Sequence, residues 1–269
     1  HPGLTQLQLR MTRSHLGTQG LQRLARQLPS SLRSLSLFVD NCSVGNDGIF
    51  AINLRALPNL QSFRFAAADD LKVDDAGLRS LAAGMDDKSL LRLLRLDFSR
   101  SLVSFRGIQY LSERLPGNLE VLQLSFSNCH VSPEGATSLA DRLPGTLQEL
   151  NLNLCRGEIG EYGAMSICKR LPASLRKLYL NWKDTGLRSM VPVTTLLNSI
   201  PSGVHVLRLD LTGVPMVTEE LLFPTHLTYL ALTLSAIKGD KDYKKRLMQS
   251  FPSGLKVDLR LVPPAISRP

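Results

Sequence analysis

The residues of this sequence that could do chemistry by themselves are its cysteines and histidines, and their spacing indicates no reactive centre. The four cysteines form no Cys-x-x-Cys pair and have no histidine at metal-ligand spacing. They are Cys42, Cys129, Cys155 and Cys168. None of His15, His130, His205 and His226 has a serine or cysteine placed for a catalytic triad. We therefore expect reduced thiols, no enzyme activity, no metal and no cofactor.

Carboxylates are the next candidates, because six aspartates fall between positions 69 and 87. They are Asp69, Asp70, Asp74, Asp75, Asp86 and Asp87. Paired carboxylates can bind Ca²⁺ or Mg²⁺, but the ligand order of a calcium-binding EF-hand loop is absent. We interpret these residues as solvated loops that flank a helix, with a cation site as the alternative.

The charge balance restricts the class of partner. The 269 residues carry 32 Lys and Arg against 23 Asp and Glu, a net charge of +9. Such an excess favours an acidic protein surface, nucleic acid or an anionic membrane over a basic partner. No apolar run approaches the ~18 residues that cross a bilayer. We expect an intracellular, cytoplasmic protein, with an organellar or nuclear location left open.

The sequence repeats a Leu-x-x-Leu-x-Leu pattern. Nine units begin at Leu4, Leu32, Leu60, Leu91, Leu119, Leu147, Leu175, Val204 and Leu227, at intervals of 28, 28, 31, 28, 28, 28, 29 and 23 residues. A tenth start, at Leu255, breaks the phase. Periods of this length indicate stacked supersecondary units rather than one globular core.

Each unit combines a strand with a helix. The fourth and sixth residues alternate as a half-buried strand requires, and the eighth is often apolar. A glycine then recurs at the seventeenth place, followed one and four residues later by apolar residues at helical spacing. Leu-Pro pairs follow, and proline disfavours a helical residue before it. The pattern predicts strand, helix, turn and the next strand.

This pattern resembles that of leucine-rich repeat proteins, specifically the long-repeat, ribonuclease-inhibitor-like subclass. The resemblance implies one α/β domain over residues 1–269: a right-handed solenoid with nine to ten repeats, a concave parallel β-sheet and convex α-helices. Strands stack about 4.8 Å apart while packed helices need about 8 to 10 Å, so the helical side must splay into a horseshoe. The short unit from Val204 predicts a truncated helix and altered curvature.

Two departures from the family pattern carry expectations. Its turn asparagine or cysteine is present at Asn41-Cys42, Asn128-Cys129 and Cys155, but Asp69, Arg100 and Asp184 stand near that place elsewhere. We therefore expect an incomplete ladder of side chains along the turns. The first residues, Pro2-Gly3-Leu4, also match the segment that joins a helix to the next strand in other units, and no capping segment precedes them. Solenoid ends need caps. We expect a segment of a longer chain or a subunit whose end is covered.

Strand residues that point away from the core predict a binding surface. The fifth and seventh residues of each unit form two rows along the concave sheet, and arginine and tyrosine on a rigid face are typical interaction anchors. The candidate partner-binding residues are Arg64, Arg95, Asp97, Gln123, Asn151, Asn153, Tyr179, Asn181, Arg208 and Asp210. The alternative for each residue is that it only keeps the sheet soluble.

The predicted function is non-enzymatic binding of a protein partner of acidic or mixed charge on the concave sheet. The alternative is a structural subunit of a large assembly, with or without RNA, since nucleic acid also suits a basic chain. Some long-repeat relatives activate small GTPases, but none of their catalytic residues has a match here. No membrane span is expected.

Overall fold

The computed structural model describes residues 3–85, 89–215, 221–237 and 242–263. In these residues one parallel sheet contains ten strands in sequence order, and it remains open at both edges. The strands are β1 Gln6–Arg10, β2 Ser34–Phe38, β3 Ser62–Ala66, β4 Leu93–Asp97, β5 Val121–Ser125, β6 Glu149–Asn153, β7 Lys177–Asn181, β8 Val206–Leu211, β9 Tyr229–Ser235 and β10 Lys256–Val262. The predicted parallel sheet of nine to ten repeats is confirmed.

Helices alternate with the strands and connect most of them. They are α1 Gly17–Arg26, α2 Gly45–Phe50, α3 Asp75–Ala82, α4 Phe105–Ser112, α5 Ser132–Asp141, α6 Gly160–Lys169, α7 Val191–Ser199 and α8 Tyr243–Gln249. A 3₁₀-helix, Leu54–Ala56, follows the short α2. Between β8 and β9 no helix occurs in residues 212–215 and 221–228, and the truncated helix predicted for the short unit from Val204 falls partly on residues 216–220, outside the described residues. None of the described helices is long and apolar enough to span a bilayer.

The core lies between the sheet and the helices. The fourth, sixth and eighth residues of the second to ninth units are buried, as in Leu94, Leu96 and Phe98 of one unit, and those of the first and tenth units are partly buried. Burying one such side chain contributes about 1.5–3 kcal/mol, so the repeated triplet supplies a continuous apolar interior. In the central units an aromatic row is part of it, with the Phe98 ring centroid 5.8 Å from that of Phe65 and 6.4 Å from that of Phe126.

The recurrent glycine at the seventeenth place allows neighbouring helices to approach closely. A Cβ on Gly135 would lie 3.1 Å from the Cα of Phe105, and one on Gly163 would lie 2.9 Å from the Cβ of Ala136. Real Cβ atoms rarely come so close, so any larger residue would push the helices apart. These glycines therefore serve packing rather than backbone flexibility.

The tenth unit is one residue out of phase with its predicted start at Leu255. The pairing of β10 with β9 aligns Val257 with Leu230 and Leu259 with Leu232. The unit thus begins at Gly254 rather than at Leu255. A one-residue shift would turn every side chain to the opposite face, so the buried pattern of β9 determines the register.

The turns after the strands are linked more completely than the sequence predicts. The tenth residue of successive units has positive φ, for example 60° at Asp69, 58° at Arg100 and 52° at Asp184. Arg100 Nε lies 2.7 Å from Asp69 Oδ1, and Arg156 Nε lies 3.5 Å from Asp184 Oδ2. Ion pairs thus join turns that lack the family's asparagine. The ladder is still incomplete, as expected, because Gly157 and Val214 at the next place of their units have no polar side chain.

In three of the turns the next residue supplies a buried polar contact. Cys42 Sγ donates to the backbone carbonyl of Met11 at 2.8 Å, and Cys129 Sγ donates to that of Phe98 at 3.1 Å. The corresponding Asp70 is 3% exposed and accepts from the Gly45 amide at 3.1 Å. Cys155 does not belong to this series, because it lies two residues earlier in its unit.

Candidate functional site

The fifth and seventh residues of the strands lie in two rows on the sheet face opposite the helices, which we call the open sheet face. In the first row Arg64 pairs with Arg95, which pairs with Gln123, and Asn151 pairs with Tyr179. Tyr179 in turn pairs with Arg208 of β8. The structure thus brings six of the ten sequence-predicted residues into one row, in the order of their units.

The second row contains the remaining four, and each also completes the turn that follows its strand. Their Oδ1 atoms accept from the backbone amide two residues on: Ser99 N at 2.9 Å, Cys155 N at 3.4 Å, Lys183 N at 3.1 Å and Thr212 N at 3.1 Å. The acceptors are Asp97, Asn153, Asn181 and Asp210. Asn and Asp favour such turns, so their type is explained by strand termination as well as by exposure.

The open sheet face contains two adjacent depressions, which share Asn151. The N-terminal depression has a volume of about 610 Å³, and its polar lining is Gln8, Arg10, Asp40, Arg64, Arg95, Asp97, Gln123, Ser125, Asn151 and Asn153. The C-terminal depression, of about 490 Å³, is lined by Asn151, Tyr179, Asn181, Arg208, Asp210, Tyr229, Thr233, Asp258 and Arg260 among others. All ten predicted residues line one or both.

Arg64 and Arg95 lie side by side in the N-terminal depression. Their strands pair with these two residues in register, and both side chains are partly buried. The Nε atom of each is shielded from solvent and has no hydrogen-bond partner among the described residues. Burial and then the neighbouring Arg64 charge lower the pKa of Arg95, and the charge of Glu149 opposes this fall. The two guanidinium groups thus lie side by side without a direct ion-pair partner among the described residues.

Two carboxylates lie in the same depression. Asp40 accepts a hydrogen bond from the Ala68 amide at 3.0 Å. Asp97 accepts one from the Ser99 amide in the turn after β4. Burial, and secondly the charge of Asp97, raises the pKa of Asp40, while the Ala68 hydrogen bond opposes the rise. The depression therefore combines three arginines with two carboxylates that are already bound to backbone amides.

The C-terminal depression is organised around one stacked arginine. The Arg208 guanidinium carbon lies 5.1 Å from the Tyr179 ring centroid and 5.6 Å from that of Tyr229. Such contacts between a cation and an aromatic face contribute about 0.5–1 kcal/mol at exposed sites. Asp258 lies 3.3 Å from Arg260, so the charges of this depression are largely compensated within it.

A polar bridge separates the centres of the two depressions. Glu149 Oε1 accepts from Gln123 Nε2 at 2.5 Å, and Glu149 Oε2 lies 3.6 Å from Lys177 Nζ. Ser125 Oγ accepts from Asn153 Nδ2 at 3.0 Å. Gln123 and Asn153 therefore have hydrogen-bond partners of their own within the sheet.

Comparison with known proteins identifies the fold. No known family's sequence profile matches the chain, and no curated protein sequence matches it. Its structure is similar to that of the leucine-rich repeat-containing protein LegL7 from Legionella pneumophila, with a TM-score of 0.54, 18% identity, and 97% of this chain and 83% of that chain covered. The fold is a leucine-rich repeat solenoid.

A second solved structure agrees with this. A chain in the crystal structure of the Rad7 and Elc1 complex in yeast matches with a TM-score of 0.58 and 16% identity. The match covers 91% of this chain and 66% of that chain, so the leucine-rich repeats described here span about two thirds of the yeast chain. At such identities the likeness shows the fold alone, and the ribonuclease-inhibitor-like subclass stays a prediction.

Sequence reasoning missed several residues of the leucine-rich repeat sheet that line the depressions. Tyr229 stands at the third place of its unit, outside the two predicted rows, yet its ring covers Arg208. Asp258 and Arg260 belong to β10, which the phase break had hidden. Asp40 follows the end of β2. An aromatic residue one strand away from an exposed arginine was the available signal for Tyr229.

The cysteines and histidines are the residue types that could act in catalysis or bind a metal. All four cysteines are free, and burial raises the pKa of Cys168 to about 12, so its reactive thiolate form is suppressed. Within the described part of the chain no group of three or more His, Cys, Asp or Glu residues could hold a metal ion.

The aspartates near α3 make separate contacts. Asp74 caps α3 by accepting from the Ala76 amide at 2.8 Å, and Asp75 accepts from the Ser104 amide at 2.7 Å. Asp69 pairs with Arg100, as described above. Asp86 and Asp87 lie outside the described residues. The interpretation as solvated loops that flank a helix fits Asp69 and Asp74, whereas Asp70 is buried and Asp75 is the first residue of α3.

Proposed function

We propose that the chain is a non-enzymatic protein-interaction module, and that it binds a partner of acidic or mixed charge on its open sheet face. The observation that carries this proposal is the clustering of the ten candidate residues around two adjoining depressions on one rigid surface. Of the similar solved folds, one was crystallised in a complex of two proteins, Rad7 and Elc1, which supports a protein-binding role.

The physical basis is preorganisation. Each strand is hydrogen-bonded to its neighbours throughout β1–β10, so the backbone under the surface is fixed before any partner arrives. A rigid surface loses less conformational entropy on binding than a mobile loop does. The stacked Arg208 also has little freedom left to lose, because two tyrosine rings hold it. Arginine and tyrosine are the residue types enriched at binding hot spots.

The test begins with identification of the partner. The intact protein is purified from its source with its partners, and mass spectrometry identifies them. Binding of each candidate is then measured by calorimetry for the unchanged chain and for a variant with Arg64, Arg95, Tyr179 and Arg208 replaced by alanine. We expect a loss of affinity of about 100-fold or more, because these are the predicted anchors.

A matched control has the same composition change on the helical side. Arg23, Arg26, Arg106 and Tyr162 are exposed residues of α1, α4 and α6, and their replacement by alanine also removes three arginines and one tyrosine. We expect less than about a threefold effect from this control. Equal affinity loss in both variants, or none in the first, would contradict the proposed surface.

The assembly alternative gives a different result. A net charge of +9 also suits a subunit that contacts RNA. In that case RNA would co-purify, and its affinity would fall steeply as salt is raised, because phosphate contacts release counterions. A partner that is a protein and that resists moderate salt would favour the proposal.

A further inference from the structure

Arg64 and Arg95 are two neighbouring cations that have no direct ion-pair partner among the described residues of the leucine-rich repeat sheet. They occupy paired positions on β3 and β4, which lie about 4.8 Å apart as adjacent strands do. Neither guanidinium makes a hydrogen bond or an ion pair with any residue that the structure describes, and both Nε atoms are shielded from solvent. Like charges directly opposite in a sheet disfavour folding. A stabilising counter-charge is therefore expected from outside the chain.

The carboxylates nearby are already engaged. Asp40 accepts a hydrogen bond from the Ala68 amide at 3.0 Å, and Asp97 accepts one from the Ser99 amide at 2.9 Å. Glu149 raises the pKa of Arg95, but its own oxygens are bound by Gln123 and Lys177. Glu149 thus acts on Arg95 from a distance, and none of the three acids makes an ion pair with either arginine.

The space beside the pair suits a small ligand. The neighbour of Arg64 along the first row is Ser36, which is 2% exposed, and Ala66 stands two residues farther along β3. Of the two, only the short Ala66 lines the N-terminal depression beside both arginines, and it leaves the guanidinium groups room on that side. Two arginine forks at strand spacing can both donate to the two oxygens of one carboxylate.

We propose that Arg64 and Arg95 together form a subsite for one carboxylate, supplied by an Asp or Glu side chain of the protein partner. The inference rests on the proposed function, since it names the chemistry of one contact on the same surface. An Asp or Glu side chain fits better than a phosphate backbone, because it can enter between Asp40 and Asp97 while its own main chain stays outside the depression, whereas a phosphate backbone carries its charges along the chain itself.

The experiment uses arginine side-chain nuclear magnetic resonance on the 269-residue chain. Nε–Hε resonances are assigned from single Arg→Lys variants, and a capped pentaglutamate peptide is titrated against a capped pentaglutamine peptide. We expect saturable shifts of the Arg64 and Arg95 signals with pentaglutamate and no shifts with pentaglutamine. Either Arg64→Gln or Arg95→Gln should weaken pentaglutamate about fivefold or more, because two charge-assisted contacts become one.

Arg33→Gln is the matched control, because it removes one exposed arginine from the same region and leaves the pair intact. It should change pentaglutamate affinity less than about twofold, as a screened surface charge does. Shifts spread evenly over all arginines, or equal weakening by the control, would overturn the subsite. A uridine oligonucleotide that shifts the pair at lower concentration than pentaglutamate would overturn it as well.

The outcome separates this inference from the proposed function. If pentaglutamate leaves Arg64 and Arg95 unmoved while replacement of Tyr179 and Arg208 still abolishes partner binding, the subsite is wrong and the binding surface stands. If pentaglutamate binds the pair but the alanine variant of the surface retains full partner affinity, the proposed function fails and the subsite stands as an anion site.

Discussion

The two depressions of the open sheet face place the same kind of residue in the same row and surround it differently. In the C-terminal depression Arg208 lies between the rings of Tyr179 and Tyr229. In the N-terminal depression the neighbour of Arg64 is Arg95, and neither has a partner among the described residues. Contacts with two rings thus stabilise Arg208 in the folded chain, whereas the repulsion between Arg64 and Arg95 destabilises the fold.

A row of polar residues on a repeat sheet is therefore not one uniform surface. Neighbouring units contact only each other, so the residue one strand away decides the chemistry of each position. An anchored arginine offers shape and a preorganised donor. An uncompensated pair offers charge, and it gains stability only when an anion arrives. We therefore expect the C-terminal depression to determine affinity through contact and the N-terminal one to select acidic partners.

The largest expected effect comes from the core beneath the two depressions. Phe98 is fully buried in the aromatic row under the N-terminal depression, so Phe98→Ala should lower the free energy of unfolding by about 3–5 kcal/mol. Trp182, the single tryptophan, reports on the C-terminal half. In urea unfolding, the transition followed by circular dichroism should shift to lower urea concentration by more than the transition followed by Trp182 fluorescence, because repeats contact only their neighbours.

The matched change in the other half is Leu209→Ala, which removes a buried side chain of β8 next to the strand that precedes Trp182. This change should lower the free energy of unfolding by about 2–5 kcal/mol. The transition followed by Trp182 fluorescence should shift at least as much as the one followed by circular dichroism. Coincident transitions for both variants with both probes would show that the ten units unfold as one, which would contradict this local difference.

The next effect concerns the stacked arginine. Tyr179→Ala should weaken binding of the identified partner by about 2 kcal/mol, because it removes a ring that holds Arg208 and a contact surface together. Tyr179→Phe keeps the aromatic face and should cost less than about 0.5 kcal/mol. Calorimetry compares the two variants. Equal losses would mean that the hydroxyl group rather than the ring contributes the binding energy.

A smaller effect should have opposite signs in the two depressions. Arg208→Gln removes its contacts with two rings and should lower the free energy of unfolding by about 0.5–1 kcal/mol. Arg64→Gln removes the repulsion from Arg95 and should raise it by about 0.5 kcal/mol. The gain should shrink at about 0.5 M NaCl, where exposed charges are screened. Urea unfolding measures both, and changes of the same sign would contradict the comparison.

Periodicity predicts the fold well because each unit has the same solution to burying its apolar side chains. Leu94 and Leu96 point inward for the same reason as Leu122 and Leu124, so nine copies support one another. The prediction failed where that redundancy ended. The start of the tenth unit, at Gly254, follows from its pairing with β9, which the sequence pattern does not contain.

The candidate site was predictable only as a set of positions. Alternation along a strand indicates which residues face outward, and it placed Arg64, Arg95 and Arg208 on one face. It carries no information on how two side chains of different strands meet. The stacking of Tyr229 on Arg208 depends on strand register and rotamers, and the use of Asp97 to end a strand depends on turn geometry.

The smallest expected effect is the pH dependence contributed by Asp40 in the N-terminal depression. Burial and the Asp97 charge raise its pKa in the folded state, so the unfolded state loses its proton first as pH rises. The stability therefore falls as pH rises from the ordinary carboxyl range through the raised pKa. Asp40→Asn keeps an acceptor for the Ala68 amide and should raise the free energy of unfolding at neutral pH by about 0.3 kcal/mol. Below the ordinary carboxyl pKa the two proteins should have equal free energies of unfolding in urea.

Asp97→Asn is the control: it removes one of the two causes of the raised Asp40 pKa and should reduce the pH dependence only in part, since burial is the larger cause. A variant Asp40→Asn that is less stable at neutral pH would show that the ionised carboxylate is compensated by the arginines, which would remove the contrast between the two depressions.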